Sequence, residues 1–79
     1  MSITIKVQTL SGTSRYINVQ KTDTIEKLKS QLYSMDGIAV DQQKIIYRGW
    51  ALPDTATIES AGLKNDETVH MVIQLKGGM

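Results

Sequence analysis

The chain is 79 residues long, 41% hydrophobic and 22% charged, with a formal net charge of +1 and no cysteine. That length holds one domain with a single core, and the near-neutral charge argues against a nucleic-acid binder driven by bulk electrostatics. Without Cys there are no disulfides, thiolate metal sites or thiol catalysis, and no apolar run approaches the ~20 residues that span a bilayer.

Ile3, Ile5 and Val7 alternate with Thr4, Lys6 and Gln8, which predicts a strand with one buried face. This alternation also lacks the continuous apolar segment of a signal peptide. The stretch 9-TLSG-12 reads as a turn, and 14-SRYINV-19 as the returning strand of a hairpin. Arg15 falls on the face of Ile17 and breaks that strand's pattern. A helix follows, with Thr24 as N-cap and Asp23 and Glu26 near its positive end. Its apolar stripe is Ile25, Leu28 and Leu32, and Gly37 suits the stop.

After the helix, 42-QQKIIYRG-49 is short and β-rich, and Leu52 sits in a smaller piece closed by Pro53 and Asp54. The segment 57-TIESAGL-63 is too short for a full helix. The run 67-ETVHMVIQL-75 predicts a final strand rich in β-branched residues. The order β-β-α-β-β-β is an α+β arrangement whose one helix must cover one face of the sheet. The expected core is Ile5, Val7, Ile17, Val19, Ile25, Leu28, Leu32, Ile45, Leu52, Ile58, Leu63, Val69 and Met71.

Alternation also marks a second face. With Val69, Met71 and Ile73 pointing one way, His70, Val72 and Gln74 point the other. With Gln43 and Ile45 inward, Lys44 and Ile46 are outward. Ile46 and Val72 are then either an apolar patch on an uncovered face or part of a strand buried on both faces. One His, no Cys and scattered carboxylates give no nucleophile–base pair and no metal cluster. No enzymatic activity, catalytic residue, metal or cofactor is therefore expected.

The stretches 9-TLSG-12, 22-TDTIEKLK-29, 36-DGI-38, 41-DQQKIIYRG-49 and 68-TVHMVIQLKGG-78 together resemble ubiquitin and its nearest relatives over almost the whole chain. Several stretches in order, with matching gaps, make the likeness specific. It implies a β-grasp fold over residues 1–75 and a conjugation tail at 76–79. It also implies a protein modifier that is a monomer in the cytoplasm and nucleus. Its partners would be activating, conjugating and ligase enzymes, a processing protease and target lysines. Gly78 would be the acyl donor and Gly77 the clearance residue, since a side chain at either would crowd the last carbonyl. Met79 would be an extension removed before activation, and Gln74, Leu75 and Lys76 the handle for the activating enzyme.

The resemblance further places Leu10, Ile46, His70 and Val72 on a receptor patch, with Lys44, Arg48, Gly49 and Trp50 around it. A complementary receptor would offer a small apolar helix face edged with acids. Trp50 stands where ubiquitin has a chain-forming lysine, and is either a binding anchor or packing. Lys29 matches a helix lysine of ubiquitin, and Lys64 comes one place before Asn65, which stands where ubiquitin has another widely used lysine, so Lys29 and Lys64 are candidate chain acceptors. Gln74, Arg15 and Ala61 depart from ubiquitin and suggest a divergent member near the cullin-modifying branch. The competing readings are a non-covalent interaction domain and a β-grasp sulfur carrier.

Overall fold

The computed structural model describes residues 2–74. Strand β1 (Ser2–Thr9) turns into β2 (Ser14–Gln20), and the helix α1 spans Ile25–Asp36. A three-residue 3-10 turn at Val40–Gln42 leads into β3 (Gln43–Tyr47), followed by the short β4 (Trp50–Ala51) and by β5 (Thr68–Ile73). The strands form one mixed sheet in the order β2-β1-β5-β3-β4. Its centre is the parallel β1–β5 pair, and all its other pairings are antiparallel.

The helix forms where its capping signals stand. Thr24 is extended, and its hydroxyl accepts the N–H of Lys27 at 3.2 Å. Two first-turn donors, the N–H groups of Ile25 and Glu26, go to the carbonyls of Ala56 and Asp54. They tie the loop after β4 to the helix start. At the other end Gly37 adopts φ 74°, and its N–H returns to the Tyr33 carbonyl. The Gln43 amide, buried on β3, donates to the carbonyls of Lys29 and Ile38 at 2.9 Å each. It locks helix to sheet from within.

Ile25, Leu28 and Leu32 press onto the inward row of the sheet, formed by Ile5, Val7, Ile17, Val19, Ile45, Val69 and Met71. Ile58 and Leu63 close one end of the core, and Ile3 and Tyr47 join it as well. Leu52, expected inside, lies one residue beyond β4 and is only half-buried against the core. With two residues in β4, the sheet ends before it can cover this side chain. Arg15 keeps its inward phase, but its position lies past the apolar stripe, over the helix end. There its guanidinium meets Asp36 at 2.5 Å.

Asp23 supplies the hinge between β2 and α1. Its carboxylate accepts the Gln20 N–H at 2.8 Å and lies 3.3 Å from the Lys27 ammonium. The Gln20 bond does most to hold its pKa below the ordinary 3.8, against partial burial, with Lys27 adding to it. The stabilisation is therefore complete above 3.8 and is lost as pH falls through the lowered native value. Asp23→Ala is expected to cost about 1 kcal/mol in urea unfolding near neutral pH. The gap to wild type should narrow as pH falls below 3.8 and through the lowered native value.

Candidate functional site

β3 and β5 together build an outward face. Their register pairs Lys44 with Val72 and Ile46 with His70, while parallel pairing sets Gln8 opposite His70. Residues in direct register share a face, so Lys44, Ile46, His70 and Val72 form one continuous surface on the side away from the helix. Ile46 and Val72 are half-buried and His70 is exposed. Neither side chain is buried, so the strand is not sealed on both faces, and the pair lies on a face that the helix does not cover. Gln43, Ile45 and Tyr47 alternate into the core.

Leu10 lies in the β1–β2 turn and is 83% exposed. It borders a groove of about 450 Å³ with Ile38, Met71 and Ile73, walled by Arg15 and Asp36. Sequence reasoning missed this groove. Ile73 shares the inward phase of Met71, yet α1 has already ended beneath it, and Ile73 is 54% exposed. The clue available was Arg15, because a charge in an inward position signals that the core has run out.

Two residues assigned to the patch turn the other way. Arg48 and Gly49 make a two-residue hairpin turn with φ 53° and 83°. Trp50 therefore pairs directly with Tyr47, whose side chain is inward, while Ala51 pairs with Ile46 on the outward face. The Arg48 guanidinium lies 5.2 Å from the Tyr47 ring centroid and 3.8 Å from the Glu67 carboxylate. The Tyr47 hydroxyl donates to the same Glu67 oxygen at 2.9 Å. Burial first, and that bond second, push the phenol above its usual 10.0. The basic rim of the outward patch is thus Lys44 and His70, without Arg48. Trp50 is 76% exposed, so it is not packed onto its own strand.

Lys29, a candidate chain acceptor, is not a free surface lysine. It is buried, and its ammonium is held on Asp54 at 2.5 Å. Lys64 is exposed. The Gln74 N–H donates to the Gln42 carbonyl at 2.6 Å, which carries the β5–β3 pairing one step further. Leu75, Lys76, Gly77, Gly78 and Met79 lie outside the described residues, as does the proposed division at residue 76. Among the described residues there is no group of three side chains placed to hold a metal. No helix there is long and apolar enough to cross a membrane.

A mixed five-stranded sheet with one helix on one face, and a half-buried apolar pair on the other, frames the comparisons with known proteins. The ubiquitin family model matches residues 3–76. The NEDD8-like protein RUB3 of Arabidopsis thaliana is 36% identical over 74 residues, which is 94% of this chain and 95% of that one. The NEDD8-like protein RUB1 of Saccharomyces cerevisiae is 31% identical, over 94% of this chain and 96% of its own. The ubiquitin domain-containing protein DSK2a of Arabidopsis thaliana is 32% identical over 91% of this chain, a match that takes up 13% of that longer protein.

Proposed function

This chain belongs to the ubiquitin family, and from that premise we propose that it is a protein modifier joined through Gly78 to lysines of other proteins. The observation that carries the reading is the match to NEDD8-like proteins over nearly their whole length, together with Gly77–Gly78 placed four residues after the described end of β5. In this reading a protease first removes Met79. The freed Gly78 carboxylate attacks the α-phosphate of ATP on an activating enzyme, releasing pyrophosphate and leaving an acyl-adenylate. A cysteine thiolate displaces AMP, and the thioester passes to a conjugating enzyme. With or without a ligase, a target amine then displaces the thiol and forms the isopeptide bond. The chain supplies no catalytic group. Gln74, Leu75 and Lys76 are the segment the activating enzyme reads, and the setting is the cytoplasm and nucleus.

The outward patch is the surface for receptors. Ile46 and Val72 supply the apolar centre, and Lys44 and His70 favour an acidic edge on the partner's helix. Ile46→Ala should weaken a patch-binding receptor about tenfold, or about 1.4 kcal/mol. The loss should show in a calorimetric titration, with an unchanged melting temperature and normal thioester formation.

A second reading is a domain that binds without being conjugated, which the match to part of the longer DSK2a favours. Expressing the N-terminally tagged chain in its source cells separates the two. A ladder of larger species that survives boiling in detergent supports the modifier. Free chain alone supports the interaction domain.

A further inference from the structure

We propose that the groove beside Trp50 is a second docking surface, separate from the outward patch. Its occupant is a protein segment that lays an aliphatic side chain on the indole and sets a carboxylate between Arg48 and Lys64. The groove encloses about 590 Å³ on the inward side of the β3–β4 edge. Its apolar lining is the half-buried Leu52, the small, half-buried Ala61 and the exposed Trp50. Gly62 adjoins them, and the space where its Cβ would be is open. The tight turn with two positive φ angles fixes where Trp50 is displayed, so little ordering is needed on binding.

Charge selects the occupant. Glu67 is the groove's one carboxylate among the lining residues, and it is already engaged by the Tyr47 hydroxyl and approached by Arg48. Arg48 remains 74% exposed, and Lys64 has no ion-pair partner among the described residues. The rim is therefore left with net positive charge beside an aromatic anchor. Two cations flanking an apolar lining fit one or two acidic side chains next to an aliphatic one. A polyanionic nucleic-acid strand fits less well, because the whole chain carries only +1.

Trp50 is the chain's single tryptophan, so its fluorescence reports on this groove directly. The full chain is titrated with the blocked peptide EDLLED, its cationic counterpart KKLLKK, and oligo-deoxythymidine. EDLLED is expected to shift Trp50 emission saturably with a Kd below about 1 mM, weakening as salt is raised. KKLLKK should leave the emission unchanged. Lys64→Glu should weaken EDLLED at least about tenfold and Lys64→Gln by less, both with unchanged melting temperatures, since Lys64 is an exposed side chain. Ile46→Ala should leave the titration intact, which separates this surface from the receptor patch. No saturable change up to about 1 mM, an equal response to KKLLKK, tighter binding of the oligonucleotide, or loss of the signal in Ile46→Ala would each overturn the proposal.

Discussion

Gly78→Ala is expected to cut conjugation by about a hundredfold or more while leaving the fold untouched. Each transfer requires a foreign nucleophile to approach the last carbonyl within bonding geometry, and a displacement of about 1 Å there is worth that factor. A methyl group on the α-carbon beside that carbonyl occupies part of that approach. It also removes the backbone freedom with which glycine threads a narrow channel. The core stands well upstream, ending on β5 at Met71, so melting temperature should be equal in the two proteins. Purified activating and conjugating enzymes make the measurement direct. Wild-type chain trimmed to Gly78 should form thioesters that reducing agent releases, and Gly78→Ala should not. Chain still carrying Met79 should be equally inert, because its Gly78 carbonyl is an amide with no carboxylate to adenylate. Thioester formation at wild-type rates by Gly78→Ala would remove the basis of the modifier reading and leave the interaction domain.

The fold was legible where period and core coincide. Alternation in β1, β2 and β5 matches the buried row of the sheet, and the stripe Ile25, Leu28, Leu32 is the helix face that covers it. Legibility failed where the core stops short. Ile73 keeps an inward phase with nothing above it, and Leu52 follows a strand too brief to shelter it. The candidate site was legible in part for the same reason. Ile46, His70 and Val72 emerge from strict alternation. Arg48 and Trp50 do not, because a two-residue turn preserves facing across the hairpin and returns Trp50 to the side of Tyr47. Counting along the strand alone cannot reveal that. Nor can local pattern reveal that Lys29 is buried, since its partner Asp54 is 25 residues away.

That pair gives the largest stability effect expected outside the apolar core. Lys29 sits one residue after Leu28, at the margin of the buried stripe, with its side chain 9% exposed and that of Asp54 49% exposed. The long aliphatic stem is therefore packed, and only the ammonium finds a polar partner. Lys29→Ala removes three buried methylenes, at about 0.8 kcal/mol each, in addition to the charged contact, and should cost about 3 kcal/mol. Lys29→Met keeps the stem and removes the charge, so it should lie within about 1.5 kcal/mol of wild type. Asp54→Ala leaves the ammonium without its carboxylate, but half-exposed surroundings let water replace much of it, and a loss of about 1 kcal/mol is expected. Urea unfolding midpoints rank the three variants. If Lys29→Met proves as damaging as Lys29→Ala, the charge rather than the stem is what the fold requires. The same ion pair bears on acceptor chemistry, because an ammonium held on a carboxylate must lose both its proton and its partner before it can attack a thioester. Mass spectrometry of any chains formed should find Gly78 joined to exposed lysines such as Lys64 and absent from Lys29.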